Sequence, residues 1–71
     1  MKAYSISTNG KWHFDTMAYS HEMAYRCICS FFDDKTVVTV TDKATNKAQA
    51  YTREIDKAGN LLRIIPIDGM Q

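Results

Sequence analysis

Residues 20–34, SHEMAYRCICSFFDD, decide the fold, because their apolar positions recur with a helical period. At about 100° per residue, four apolar side chains fall on one narrow side of such a helix. They are Ala24, Cys27, Ile28 and Phe31. Ser20 is a good N-cap, since its hydroxyl can accept an N–H of the first turn that has no partner within the helix. We therefore expect one helix over residues 20–34, with strands packed against this stripe.

The same stretch also permits a strand, because apolar side chains alternate from residue 25 to residue 31. The Ala, Met and Glu residues near its start and the long run without a turn signal favour the helix. On that helix Tyr25 and Phe32 flank the stripe. Cys27 is expected to be a small buried side chain and Cys29 a partly exposed thiol. The two lie too far around the helix to form a disulfide bond.

Residues 2–17 predict a β-hairpin around Asn9 and Gly10. A two-residue loop would scatter the apolar side chains over both faces. A three-residue loop over residues 8–10 gathers four of them on one face, and amphipathicity usually sets the register. They are Tyr4, Ile6, Trp12 and Phe14. We therefore expect the longer loop, with Gly10 at positive φ.

Three more strands are expected after the helix. Residues 36–41, TVVTVT, are β-branched and form the strongest strand signal in the chain. Ala48–Ile55 and Leu61–Ile67 follow, separated by turn-rich segments. In the first hairpin of this half, Val38 should oppose Tyr51. The expected fold is α+β, with a single helix packed on an antiparallel sheet in the order β-β-α-β-β-β.

The last strand is apolar on both sides. Leu62 and Ile64 should face the helix, which leaves Leu61, Ile65 and Ile67 on the opposite side. Pro66 lacks an N–H and suits a sheet edge. An apolar edge strand is an aggregation hazard unless something covers it. Either the strand curls and buries both sides, or Leu61–Ile67 is an interface with a partner protein or a second copy.

Length and charge narrow the class of protein. A chain of 71 residues predicts a single domain over residues 1–71, with a small core that often gains from self-association. Its net charge of +1 argues against non-specific binding to nucleic acid or to a membrane. The opening residues lack the apolar core of a signal peptide, which predicts a cytoplasmic protein.

No pattern in the chain indicates catalysis, a metal site or a cofactor. Cys27 and Cys29 would point apart on a helix, and no second ligand pair has zinc-site spacing. His21 lies two helical turns from Cys29, too far for a direct nucleophile–base bond. The three glycines are isolated and form no phosphate-binding loop. We expect a protein that is not an enzyme and binds no cofactor.

Binding is the remaining function class, and two hypotheses stand. The first is a protein-binding module, since aromatic side chains set among charges are typical of interface hot spots. Its candidate contacts are Tyr25, Arg26, Cys29, Phe32, Leu61, Ile65 and Ile67. The second is a nucleic-acid-binding domain that uses the sheet face and its basic residues. Its candidate contacts are Lys11, Lys43, Lys47 and Arg53.

The overall layout resembles small bacteriophage-encoded accessory proteins, including anti-CRISPR-type inhibitors. The resemblance rests on the opening hairpin AYSISTNGKWHF, the single helix and the hairpin VTVTDKATNK, which together cover most of the chain. It implies a stoichiometric blocker that binds a host protein or nucleoprotein complex without chemistry. It carries over no functional residue, because such proteins share layout rather than sequence.

Overall fold

The computed structural model describes residues 1–67, and it shows a five-stranded antiparallel sheet with one helix on one face. The strands are β1 (Lys2–Thr8), β2 (Lys11–Ala18), β3 (Val38–Asp42), β4 (Ala48–Ile55) and β5 (Leu61–Ile67), and helix α1 (His21–Ile28) lies between β2 and β3. Their spatial order is β2-β1-β3-β4-β5. The predicted α+β class and element order are confirmed. Residues 68–71, which follow the last predicted strand, lie outside the described residues.

The helix begins as its sequence predicts and ends earlier. The backbone N–H of Met23 donates to the hydroxyl of Ser20 at 3.2 Å, which confirms the N-cap. The α-helix stops at Ile28, and a 3-10 turn over Cys29–Phe31 replaces its predicted last turns. A 3-10 turn winds about 120° per residue rather than 100°, so it rotates every side chain beyond Ile28 away from its expected position.

The buried side of the helix is rotated from the predicted stripe toward Tyr25. Ala24, Tyr25 and Ile28 are buried, while Cys27 is exposed. Cys29, expected at the surface, is buried. The predicted exposures of the two cysteines were therefore wrong. The helix turns toward Tyr25 because that ring stacks on Tyr51 of β4, with centroids 5.2 Å apart, and buries more apolar area than a thiol would.

The first hairpin has a different register from the one expected. Its loop has two residues, since Thr8 pairs with Lys11 and both Asn9 and Gly10 have positive φ. A β-bulge then shifts the register, so that Ser7 pairs with Trp12 and Ile6 with Phe14.

The extra residue of this bulge is His13, and it keeps Phe14 on the helix side of the sheet while Trp12 faces the opposite side. The predicted shared face was therefore wrong for Trp12. The bulge lets the turn chemistry and the core pattern both be satisfied.

The core lies between the helix and the sheet. Tyr4 and Ile6 of β1 and Val38 and Val40 of β3 are almost completely buried beneath Ala24 and Ile28. Val38 pairs with Tyr51 and Val40 with Gln49, as expected for the β3–β4 hairpin.

The loop between β3 and β4 is built around Asp42. This carboxylate is buried, accepts a hydrogen bond from the backbone N–H of Ala44 at 2.9 Å, and lies 3.8 Å from the Lys2 ammonium. The Ala44 N–H is the main cause of the lowered pKa of Asp42, against the opposing effect of burial, and the N–H of Thr45 and the charge of Lys2 add to it.

The last strand has mixed exposure. Ile64 packs against the core, as expected, and Ile65 and Ile67 pair with Thr52 and Ala50 on the side away from the helix. A second register shift places Leu61 opposite Ile55, on the helix side, so its predicted orientation was wrong. Pro66 lies in this edge strand, where its missing N–H leaves the sheet intact.

Candidate functional site

The sheet face turned away from the helix, which we call the outer face, is an open surface formed by all five strands. Its centre carries small side chains of β1, β3 and β4, and its two rims carry larger ones of β2 and β5. The central residues are Ala3, Ser5, Ser7, Thr39, Thr41, Ala48, Ala50 and Thr52. The rim residues include Trp12, Met17, Ile65 and Ile67. Within residues 1–67 no second layer covers this face.

Trp12 is the most prominent side chain of the outer face. It is 60% exposed, yet its indole N–H donates to the carboxylate of Asp15 at 2.9 Å. The other carboxylate oxygen of Asp15 accepts a hydrogen bond from the ammonium group of Lys43, which lies in the β3–β4 loop. The indole is therefore both exposed and held in one orientation, as is typical of aromatic anchors at interfaces.

The negative charge of Asp15, which holds the indole, is paired with the positive charge of Lys43. The ammonium group of Lys43 is the main cause of the lowered pKa of Asp15, and the indole N–H of Trp12 adds to it. A second ion pair on the outer face joins Glu54 and Arg63 at 2.9 Å. The outer face thus carries two balanced pairs and no excess of either sign among these residues.

Further exposed apolar side chains lie along β2, with Phe31 on the helix side and Met17 on the outer face. Phe31 is 71% exposed and packs edge-on against Phe14, with ring centroids 5.6 Å apart. Tyr19, just beyond the strand, is also 71% exposed, and Met17 is 54% exposed. We call Trp12, Met17, Tyr19 and Phe31 the β2 edge patch, since together they border both faces of this edge strand.

The predicted helix-rim contacts divide into two groups. Tyr25 and Cys29 lie in the core, which removes them from any contact surface of the folded chain. Arg26 is exposed and pairs with Glu22 at 3.5 Å, one turn earlier on the helix. Phe32 is half-buried and stacks on Phe14, with ring centroids 6.2 Å apart. The helix rim therefore offers Arg26 and part of Phe32, without the tyrosine and the thiol.

The predicted contacts on the last strand are only partly accessible. Ile65 and Ile67 are half-buried on the outer face, and Leu61 is 37% exposed. Leu62, the neighbour that had been expected to face the core, is 60% exposed. The strand therefore contributes one rim of the outer face rather than a separate apolar surface.

The basic residues of the nucleic-acid hypothesis do not form a cluster. Arg53 donates to the carbonyl oxygens of Cys29 and Phe32 and is half-buried, so its guanidinium is committed to the fold. Lys43 is paired with Asp15. Lys11 lies beside the first turn and Lys47 in the β3–β4 loop, on separate elements. A sheet face edged by concentrated positive charge, which single-strand binding generally uses, does not form from these four residues.

Trp12 and Met17 are the surface residues that the sequence analysis missed. The Asn9-Gly10 pair is the signal that would have found Trp12, because a two-residue turn puts Trp12 opposite Ser7 and away from the helix. The apolar pattern favoured the opposite prediction, because a register that puts Trp12 on the same face as Phe14 gathers the apolar side chains in the core. Turn chemistry was the better guide at this position.

Residues 1–67 contain neither a cluster of metal ligands nor a membrane-spanning helix. No three His, Cys, Asp or Glu side chains of this part of the chain come together in a way that would hold a metal ion. Its single α-helix is too short to cross a membrane.

Comparison of the chain with protein-family models, with curated proteins and with solved structures finds no match. The chemistry of the surface itself must therefore carry any proposal about function.

Proposed function

We propose that this protein is a small, non-enzymatic protein-binding module whose contact surface is the outer face together with the β2 edge patch. The observation that carries the proposal is the exposed indole of Trp12, fixed by Asp15. An exposed aromatic side chain that is already ordered loses little entropy on binding, so it contributes strongly to affinity.

The surroundings of Trp12 support the same function. Small side chains in the middle of the outer face let a partner approach the sheet closely, and the balanced ion pairs at its sides favour a neutral contact. Exposed Met17 and Phe31 extend the apolar area beyond the indole. Aromatic residues and methionine are enriched in protein interfaces relative to the rest of the protein surface.

A stoichiometric inhibitor of a host protein or nucleoprotein complex is the form of this function that the phage-type layout suggests. Such a protein acts by occupying a surface, and it needs no catalytic group. A rigid anchor on a small scaffold suits that role, because the affinity then depends on a few preorganised side chains. The proposed site of action is the cytoplasm.

Capture of proteins from a cell extract on the immobilised chain tests the proposal through matched variants. We expect Trp12→Ala to lose a protein that the native chain retains, and Asp15→Asn to retain it more weakly because the indole is no longer held. Leu62→Ala is the control, since Leu62 has the same 60% exposure as Trp12 but lies on the opposite edge strand. Circular dichroism must show that all three variants keep the native fold.

Equal capture by Trp12→Ala and Leu62→Ala would contradict the proposed contact surface. Nuclease treatment distinguishes protein binding from nucleic-acid binding. If nuclease abolishes capture, and if added salt steeply weakens the binding of nucleic acid, the chain is a nucleic-acid-binding domain instead. For a protein contact through a neutral surface, we expect capture to survive nuclease and to change little with salt.

A further inference from the structure

The edge strand β2 has one side that is not paired with another strand of the described residues. β2 lies at one end of the sheet and, within residues 1–67, pairs only with β1. Its backbone therefore presents N–H and C=O groups that lack a neighbouring strand. Proteins usually protect such an edge with a proline, a charge or a bulge, because an open edge readily pairs with another chain.

The two edges of this sheet are protected to different extents. β5 carries Pro66, a residue without an N–H to offer to an added strand. In β2 the only disruption is the bulge at His13, near the start of the strand. The five residues after it, 14–18, pair regularly with β1 and include no proline. The one charge in this segment, Asp15, is paired with Lys43, so residues 14–18 form a regular edge without a proline or an unpaired charge.

Exposed apolar side chains lie on both sides of that same edge. Trp12 and Met17 are on the outer face, and Phe31 lies over Phe14 on the helix side. An added strand would cover both groups at once, because a new neighbour extends both faces of the sheet. A partner that bound the outer face alone would leave Phe31 in water.

We propose that β2 pairs antiparallel with β2 of a second copy of this chain, centred on Thr16, to form a continuous ten-stranded sheet. This inference names a partner for the protein-binding surface proposed above, and it rests on that proposal. The pairing would extend over residues 14–18 of each copy, about 17 Å of strand.

The sequence of β2 is self-complementary in this register. Phe14 of one copy faces Ala18 of the other, so a large ring meets a small side chain. Asp15 faces Met17, so no two like charges are directly opposite, and each Asp15 keeps its own Lys43. Moving the centre to Asp15 would place two carboxylates face to face, which disfavours that register.

The apolar side chains also come together in this arrangement. A twofold axis perpendicular to the sheet keeps both helices on the same side, so the two Phe31 rings cover the helix side of the junction. On the outer face, the register carries Trp12 of one copy toward the Tyr19 end of the other copy's strand. The β2 edge patches of both copies are thereby covered by one interface.

Size-exclusion chromatography with light scattering, at a low and a high protein concentration, tests the pairing on three variants. The native chain should reach the mass of two chains at the high concentration. Met17→Glu should weaken the dimer by about tenfold or more, because two symmetric pairs of carboxylates then face each other. Met17→Lys removes the same apolar side chain but faces Asp15 with an opposite charge, so its dimer should be retained. Leu62→Glu, on the other edge, should leave the dimer unchanged.

The outcomes separate this inference from the proposed function. A native chain that stays monomeric at high concentration overturns the β2 pairing, while capture that depends on Trp12 would still support the protein-binding module. A dimer that survives Met17→Glu but dissociates in Leu62→Glu would assign self-association to β5. Equal weakening by Met17→Glu and Met17→Lys would show that the register centred on Thr16 is wrong.

Discussion

The guanidinium of Arg53 holds the end of the helix to the sheet by donating to the carbonyl oxygen of Cys29 at 2.6 Å. The same nitrogen donates to the carbonyl oxygen of Phe32 at 2.9 Å. The carbonyl of Cys29 also accepts the N–H of Phe32 at the end of the 3-10 turn, and the positive charge of Arg53 suits the negative end of the helix dipole. A side chain 24 residues away in sequence thus caps the helix.

Replacement of this guanidinium should therefore destabilise the fold. We expect Arg53→Met to lower the free energy of unfolding by about 1–3 kcal/mol, because the part-buried carbonyl of Phe32 loses this donor and that of Cys29 keeps only the N–H of Phe32. Urea denaturation followed by circular dichroism measures the change. Arg63→Met is the control: its exposed pair with Glu54 should contribute only a few tenths of a kcal/mol. Similar losses in both variants would mean that Arg53 does not cap the helix.

The hydroxyl of Tyr25 is buried without a hydrogen-bond partner, and its removal should be tolerated. Burial raises the pKa of Tyr25, and the nearby Arg53 opposes that rise only in part. We expect Tyr25→Phe to leave the free energy of unfolding unchanged or to raise it by about 1 kcal/mol, since a buried unsatisfied group is unfavourable. Thermal unfolding of Tyr25→Phe beside Tyr19→Phe, an exposed control, makes the comparison. A clear loss of stability would show that the hydroxyl contributes a bond to Arg53.

Asp42 should make the stability depend on acid. Because its pKa is held below the ordinary value of 3.8, the unfolded chain takes up this proton more readily than the native one. The stabilisation is therefore present above pH 3.8 and is lost as the pH falls through the native pKa. We expect Asp42→Asn to be less stable than the native chain at neutral pH, with the difference closing in acid.

Urea unfolding of both chains across this pH range is the measurement, with Lys2→Met as a second variant. Since the N–H of Ala44 is the main cause of the shift, Lys2→Met should keep most of the acid dependence. If Lys2→Met removes the dependence as fully as Asp42→Asn does, the ion pair rather than the loop backbone is responsible.

Trp12 is the one tryptophan of the chain, so its fluorescence reports directly on Asp15. Lys43 and the indole N–H lower the pKa of Asp15, so protonation should release the indole with a midpoint below pH 3.8. We expect a change in emission at that midpoint and none in Asp15→Asn, which lacks the titrating group. A midpoint at or above 3.8 in the native chain would contradict the proposed fixing of the indole.

The sequence by itself determined the elements and their order. The predicted bounds of β4 and β5 are the observed ones, and Ser20 marked the start of the helix. The β-branched run over residues 36–41 predicted β3, which the structure places at Val38–Asp42. The turn residues were also predictable, since Gly10 and Gly59 have the positive φ that a glycine permits. These features depend on local backbone preferences, which a single sequence records.

Tertiary structure decided which apolar side chains are buried. Tyr25 and Cys27 flank Ala24 and Ile28 on opposite sides of the helix, and either one completes an apolar stripe. The helical pattern alone could therefore not choose between them; the ring of Tyr51 did. Phe31 was expected in the core but is exposed, because it lies in a 3-10 turn instead of an α-helix. Arg53, on a distant strand, caps this turn. Trp12 reached the surface because a bulge absorbed the conflict between a two-residue turn and the core face of β2. Long-range contacts, which local preferences do not encode, set the positions of Tyr25 and Phe31. For Trp12 two local signals conflicted, the Asn9-Gly10 turn and the apolar pattern, and only the bulge in the folded sheet satisfied both. The candidate binding surface depends on Phe31 and Trp12.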